Sequence, residues 1–248
     1  MTIFKSTMRV QFNPGLLTSL LLLTVMLAAG CSWSQSKGPT ESSVSDGTGN
    51  SSSKTTAVFS PSGDPRKDLR EALEKLNSAY PYRLTEVSSG SANGKEVPPG
   101  TRVVDFAAAD RSHAKWTSGP LGDTEVITIG DKQYMKLNNG NWTEGAAATA
   151  ARREGTAERM RDLLAKVIKD VKYVGPQTVN GVACHAYTYT IDGELAGQRW
   201  AGTGKSWISA SDGVPRQIDS ELTTSSYQAK SHITYEYNVN VKVEKPAM

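Results

Sequence analysis

Hydrophobic positions recur with a helical period in two parts of the chain. The first part follows Asp64, a suitable N-cap, and Pro65, which is favoured at the first helical position. Its apolar positions are Leu69, Ala72, Leu73 and Leu76. Tyr80-Pro81 ends this helix, because a residue before proline disfavours helical geometry.

The second helical pattern is predicted to run from Thr156, a plausible N-cap, to Val171. Charged side chains occupy the other side of this helix, as expected for a helix that packs on a core through one face. Its apolar stripe consists of Met160, Leu163, Leu164, Val167, Ile168 and Val171. The alanine-rich residues 146–153 ahead of it could form a helix or a loop, and the pattern does not choose between them.

Most of the remaining chain alternates with the period of a β-strand. Tyr187, Tyr189 and Ile191 alternate with threonines, so one face is apolar and the other polar. Pairs such as Asn180-Gly181 mark tight turns. The predicted strands are residues 82–87, 101–107, 113–117, 125–129, 133–137, 171–174, 182–191, 198–201, 206–209, 216–223 and 232–243. The order of helix, strands, helix and strands predicts an α+β fold, a large antiparallel sheet with helices on one face.

The chain begins with the features of an export signal. Lys5 and Arg9 precede an uncharged, mostly apolar run over residues 16–29, which is too short to span a bilayer comfortably. Cys31 follows Ala29-Gly30, and this arrangement resembles the bacterial lipoprotein signal, although Ala28 stands where leucine is most frequent. The resemblance implies that residues 1–30 are removed and that Cys31 is lipidated. An ordinary signal peptide with an unrelated cysteine, or an N-terminal membrane anchor, remains an alternative.

Residues 31–63 are predicted to be a flexible tether. Serine, glycine, threonine and lysine dominate, and the few apolar residues show no period. A coil of this length reaches roughly 30 Å, enough to hold a domain of residues 64–248 clear of a lipid surface. Removal of the signal leaves 26 basic against 25 acidic residues, and this near-neutral charge argues against nucleic-acid binding.

Few residues in the sequence are candidates for catalysis or metal binding. His113, His185 and His232 fall on separate predicted strands without metal-ligand spacing, although His185 shares the phase of Tyr187. Cys184 has no intrachain partner if Cys31 is acylated, and we expect it to be a small buried residue. No nucleophile elbow or phosphate-binding loop is present. We therefore expect no metal and no cofactor, and an enzyme is only an alternative interpretation.

Several passages resemble the LolA/LolB/LppX group of bacterial envelope proteins. They are residues 129–135 followed by Trp142, residues 179–182 leading into Tyr187 and Tyr189, and the hairpin of residues 205–209 with 212–216. The resemblance implies a strongly curved antiparallel half-barrel with helices over its open, concave side. Members of the group carry lipids or the acyl chains of lipoproteins in the hollow between sheet and helices. No catalytic residue is implied.

We therefore expect a lipid-anchored protein of the cell envelope that binds a hydrophobic ligand between sheet and helices. Ser32, next to the anchor, resembles the signal for the outer membrane, and in a single-membrane bacterium the protein would face outward. A lipoprotein with a filled core that binds an envelope protein partner is the main alternative. The candidate cavity residues are Trp116, Ile127, Ile129, Tyr134, Trp142, Met160, Leu163, Leu164, Val167, Ile168, Tyr187, Tyr189 and Trp207.

The lipoprotein signal gives a direct test. Cys31→Ser removes the thiol that would carry the lipid, so we expect palmitate labelling to be lost and unprocessed precursor to accumulate. Metabolic labelling and the mobility of the precursor measure both effects. Cys184→Ser is the matched control and should label as the wild type does. Normal labelling of the Cys31 variant would refute the lipoprotein signal.

Overall fold

The structure, a computed structural model, describes residues 58–118, 122–147, 166–195 and 198–248. These residues form one antiparallel sheet of 11 strands in the order β6-β5-β4-β3-β2-β1-β11-β10-β9-β8-β7. The strands are β1 (Tyr82–Ala92), β2 (Lys95–Ala108), β3 (Arg111–Thr117), β4 (Thr124–Ile129), β5 (Lys132–Leu137), β6 (Thr143–Ala146), β7 (Ile168–Val179), β8 (Val182–Leu195), β9 (Gln198–Ser209), β10 (Pro215–Thr223) and β11 (Tyr227–Tyr237).

The sheet consists of two meanders joined by one pair of strands. Strands β1 to β6 follow one another in space, as do β7 to β11, and β1 pairs with β11 from Tyr82↔Tyr237 to Ala92↔Tyr227. Strands β6 and β7 are the two edges, so the sheet does not close. The predicted α+β fold with a large, open antiparallel sheet is confirmed.

Helix α1 (Pro65–Lys75) lies where the sequence predicts the first helix. The Asp64 carboxylate accepts hydrogen bonds from the backbone N–H groups of Arg66 and Lys67, which satisfies two donors that a helix start leaves without partners. A single 3-10 turn over Leu76–Ser78 ends it. No helix among the described residues is long and apolar enough to cross a membrane.

Helix α1 covers one face of the sheet, which we name the helix face; the other is the opposite face. Alternation along each strand sends one set of side chains to each face. Around the C-terminal end of α1, the helix face forms a core cluster of Leu76, Tyr82, Leu84, Val104, Phe106, Ala114, Ile218, Ile233 and Tyr235. Nearer its N-terminal end lies a second cluster of Phe59, Leu69, Ala72, Tyr187, Tyr189 and Ile208.

The prediction of the second helix, over residues 156–171, is wrong at its C-terminal end. Residues 156–165 lie outside the described residues, Lys166 and Val167 are helical, and strand β7 begins at Ile168. Ile168 and Val171 have helical spacing, and in a regular strand they would point to opposite faces. An irregularity in pairing between Lys169 and Lys172 brings both against the second core cluster instead. The bulge in β7 therefore places on one face two apolar residues whose spacing in the sequence is that of a helix.

Two strand predictions also differ from the structure. The separate strands predicted at residues 198–201 and 206–209 form the single strand β9. The strand predicted up to Val243 ends at Tyr237, and the chain then runs over the opposite face without strand pairing. Val243 is nevertheless buried there, beside Ile127 and Tyr134. The apolar residue thus packs without belonging to the sheet.

Residues 58–63, which precede Asp64, the predicted start of the domain, also pack on it. The N–H of Phe59 donates to the carbonyl of Ala210 at 2.8 Å, and the Phe59 ring is buried in the second core cluster. The N–H of Ser62 donates to the Asp68 carboxylate at 3.0 Å. Residues 58–63 therefore fix the point at which the predicted tether meets the fold.

Phe59→Ala tests this attachment. Loss of a buried phenyl ring should lower the free energy of unfolding by about 3 kcal/mol. Val58→Ala is the control, since Val58 is 72% exposed, and its effect should stay within about 0.5 kcal/mol. Urea unfolding followed by fluorescence measures both. Equal effects for the two variants would mean that Phe59 does not pack on the domain.

Candidate functional site

The strand register lines up five small residues across the helix face. Ser88 of β1 pairs with Gly100 of β2 and with Ser231 of β11. Ser231 pairs with Ser220 of β10, which pairs with Gly204 of β9. We name these five the small-residue row. It crosses the middle of the sheet, over the junction of the two meanders.

The small-residue row leaves the sheet surface recessed. Glycine has no side chain and serine has one hydroxymethyl group, so the row adds almost no volume above the backbone. Ser88, Ser220 and Ser231 are half-buried, and their strands also border the groove on the other side of the sheet, which these serines help to line. At the end of the row, the Tyr189 ring lies directly over Gly204, where a Cβ atom would clash with it. From the size of these side chains we infer a shallow recess on the helix face, with the Tyr189 ring at one end.

Apolar side chains continue the helix face over β3, β4 and β5. Trp116 and Val126 are partly buried against the first core cluster. Met135 pairs with Val126, and Leu137 pairs with Thr124, the partner of Trp116, so all share the helix face. Met135 is 38% exposed and Leu137 is 50% exposed. This part of the helix face therefore keeps apolar surface accessible.

A buried ion pair borders the small-residue row. Arg102 Nη2 lies 2.9 Å from Glu86 Oε2, and the two side chains are 4% and 3% exposed. The Ser231 hydroxyl donates to Glu86 Oε1 at 2.8 Å. Burial lowers the pKa of Arg102, and the negative charge of Glu86 opposes that shift. This pair was not among the candidate site residues, although Glu86 shares the alternation phase of Leu84, which places a charge at a core position.

A buried hydroxyl lies beside this ion pair. Tyr235 follows Ile233 on the helix face, and Ile233 pairs with Glu86. The Tyr235 hydroxyl has no hydrogen-bond partner among the described residues, although the side chain is buried. Burial raises the pKa of Tyr235, and the positive charge of Arg102 acts in the opposite direction. The hydroxyl therefore stays protonated and can donate a hydrogen bond.

Asp68 holds α1 against the sheet. Its carboxylate is buried and accepts a hydrogen bond of 3.0 Å from the Tyr187 hydroxyl. Burial raises the pKa of Tyr187, and the hydrogen bond to Asp68 adds to the shift. Arg66 Nη2 also donates to the carbonyl of Ile168 at 2.7 Å, which ties α1 to the start of β7. These contacts fix the helix beside the recess.

The opposite face carries an open groove of about 820 Å³ across strands β7 to β11 and β1. Charged side chains of both signs line it, and many are paired. Lys230 Nζ lies 2.7 Å from Glu221 Oε1, and His232 Nδ1 lies 2.6 Å from Asp219 Oδ1. Lys172 and Lys205 also line it. Charged groups of both signs are therefore available to a partner that binds in this groove.

The candidate cavity residues do not line one surface. Trp116, Ile168, Tyr187 and Tyr189 share the helix face, and Val167 lies over Gly193 on that face. Met160, Leu163 and Leu164 lie outside the described residues. The remaining candidates belong to the opposite face. They are Ile127, Ile129, Tyr134 and Trp142, which pack near Val243, and Trp207, which packs near Cys184.

The histidines take part in separate local contacts. His113 Nε2 lies 3.3 Å from Glu125 Oε2, and His185 Nδ1 lies 2.9 Å from the Tyr173 hydroxyl. Within the described ranges, no three His, Cys, Asp or Glu side chains come together as metal ligands. Cys184 is buried, and burial raises the pKa of its thiol, as expected for an unreactive cysteine.

No protein-family model matches the chain, and no curated protein matches it. Among solved structures, LprF from Mycobacterium bovis is 14% identical, with a TM-score of 0.47 over 77% of this chain and 100% of its own. Lipoprotein LppX from Mycobacterium tuberculosis is 12% identical, with a TM-score of 0.46 over 74% of this chain and 100% of its own. A LolA superfamily protein from Nitrosomonas europaea is 10% identical, with a TM-score of 0.32 over 69% of this chain and 91% of its own. The likeness concerns the fold alone.

Tyr187→Phe tests the contact between α1 and the sheet. Loss of the hydroxyl removes a donor from the buried Asp68 carboxylate, so the free energy of unfolding should fall by about 1–3 kcal/mol. Tyr173→Phe is the control, because Tyr173 is 39% exposed and its partner His185 can bond to water. Urea unfolding compares the two. A smaller loss for Tyr187→Phe than for Tyr173→Phe would contradict this role of Asp68.

Proposed function

We propose that this chain is a lipid-anchored envelope protein that binds a hydrophobic ligand, a lipid or an acyl chain, on the helix face of its sheet. The observation that carries the proposal is the small-residue row, which lies recessed beside accessible apolar side chains. Trp116 and Tyr189 border this region, and Met135 and Leu137 extend it toward the edge of the sheet. An acyl chain laid along the recess would contact backbone, serine methylenes and aromatic rings.

The energetics of such a site are adequate for exchange with a membrane. Each buried methylene gains about 0.8 kcal/mol, whether it enters a bilayer or an apolar protein site. A site that buries about ten methylenes therefore competes with a membrane on roughly even terms, since the gain per methylene is similar in both. Such a balance suits a protein that takes up a ligand at one surface and releases it at another.

In this proposal Cys31 supplies the anchor and the predicted tether supplies the reach. The anchored chain belongs to the cell envelope, at the outer membrane or on the outer surface of a single-membrane bacterium. Phe59 joins the tether to the domain near Ala210. The ligand site then stays within reach of the lipid layer without being inserted in it. Binding and presentation, without chemistry, account for the whole activity.

Ligand content is the primary experiment. We use the mature chain from residue 31 with Cys31→Ser, so that no covalent lipid confuses the result. Native mass spectrometry should find co-purified lipid, and a fluorescent fatty acid should bind saturably.

Two neighbouring residues of β10 provide matched variants. Ser220→Phe fills the small-residue row and should weaken fatty-acid binding by about tenfold or more, equivalent to about 1.4 kcal/mol. Glu221→Phe places the same ring on the opposite face, where Glu221 is 63% exposed, and should leave binding unchanged. Circular dichroism verifies that both variants fold. Equal affinities for the two would place the ligand away from the helix face.

A partner-binding lipoprotein is the second candidate function, and the groove on the opposite face favours it. Charged side chains of both signs suit recognition of a polar protein surface, where complementary charges set specificity and association rate. Repeated purification without lipid, together with no fatty-acid binding, would favour this second candidate over the first.

A further inference from the structure

The ion pair of Arg102 and Glu86 occupies an unusual position for buried charge. It lies on the helix face between the first core cluster and the small-residue row. A buried ion pair contributes little stability compared with apolar residues of similar size, because removing both charges from water offsets their attraction. Its presence at the border of the recess therefore suggests recognition of a ligand.

The pair is within reach of the recess. Ser88 follows Glu86 by two positions on the same face, and Ser231 pairs with Ser88 while its hydroxyl donates to Glu86. Both serines are half-buried. A molecule lying along the small-residue row would therefore pass beside the ion pair where the row crosses β1 and β2. The polar border of the recess and its apolar walls are parts of one surface.

Tyr235 adds an unused donor at this border. Its side chain is 4% exposed, and its hydroxyl has no hydrogen-bond partner among the described residues. A buried hydroxyl without a partner is unfavourable, and such groups in folded proteins normally find one. An acceptor atom of a bound molecule would satisfy it. This observation points to a ligand independently of the small-residue row.

We propose, on the basis of the proposed function, that the Arg102–Glu86 pair and the Tyr235 hydroxyl receive the polar end of the bound lipid. The pair selects an uncharged end, such as the ester and hydroxyl groups of a diacylglycerol, over an anionic phosphate. Glu86 already neutralises Arg102, so a second anion would be buried beside a carboxylate without a compensating charge. An ester carbonyl accepts a hydrogen bond from Tyr235 without that penalty.

The test compares two lipids that share their acyl chains, dioleoylglycerol and dioleoylphosphatidic acid. Each displaces a fluorescent fatty acid from the mature chain carrying Cys31→Ser. With the Arg102–Glu86 pair intact, we expect the affinity for dioleoylglycerol to exceed that for dioleoylphosphatidic acid by about tenfold. Glu86→Gln removes the negative charge that pairs with Arg102, so the preference should move toward phosphatidic acid by about tenfold or more.

The control is an ion pair on the same two strands and the opposite face. Arg83 Nε lies 2.6 Å from Asp105 Oδ1, and these residues pair across β1 and β2 three positions from the buried pair, so they point to the opposite face. Asp105→Asn removes the same charge as Glu86→Gln and should leave the lipid preference unchanged. A change of equal size in both variants would indicate a general charge effect and overturn the proposal.

Tyr235→Phe provides a second variant that keeps the ion pair and so does not depend on the folding of Glu86→Gln. This variant should lower the affinity for dioleoylglycerol about fivefold and leave the affinity for a plain alkane, hexadecane, unchanged. If both lipids bind, two results would each overturn the proposed recognition of the polar end and leave the proposed function standing. One is that folded Glu86→Gln keeps the wild-type ratio of the two lipid affinities. The other is that Tyr235→Phe has no effect on either affinity. If the protein with the intact Arg102–Glu86 pair binds neither lipid, the proposed function is overturned as well.

Discussion

The pairing of β1 with β11 is the interaction on which the rest of the structure depends. Each meander alone would expose a long central edge, and the ladder from Tyr82↔Tyr237 to Ala92↔Tyr227 removes both edges at once. The same ladder brings Glu86 beside Ile233 and Ser88 beside Ser231. The first core cluster and the small-residue row draw residues from both meanders, and the ion pair of β1 and β2 receives the Ser231 hydroxyl from β11. The cluster and the row are therefore incomplete in either half alone.

The two faces of the sheet differ in what they can bind. On the helix face, α1 packs over one part and leaves small and apolar residues beyond it, with one neutralised ion pair at the boundary. On the opposite face, paired charges line an open groove, and a separate apolar cluster near Ile127 is covered by Val243. An apolar ligand and a polar partner therefore have different surfaces available, and occupation of one does not require displacement of the other.

Sequence patterns predicted the elements better than they predicted the site. The alternation of Tyr187 with Thr188 and the cap at Asp64 act through local backbone geometry, so strand β8 and helix α1 form where they are predicted. Face assignment is different, because it depends on register between distant strands. Ile127 and Trp116 are both apolar residues on strands, yet they point to opposite faces. The small-residue row is likewise visible only after five strands have been aligned.

The β1–β11 ladder also constrains how the protein reaches its final form. Tyr82 and Tyr237 stand near opposite ends of the folded region, and contacts between such distant positions slow folding because a long loop must close first. A chain is synthesised from its N-terminus, so β1 waits with one unpaired edge until the last strand has arrived. During that interval the half-formed sheet offers a template for strands of other molecules, so a high concentration of unfolded chains would favour aggregation over completion of the sheet.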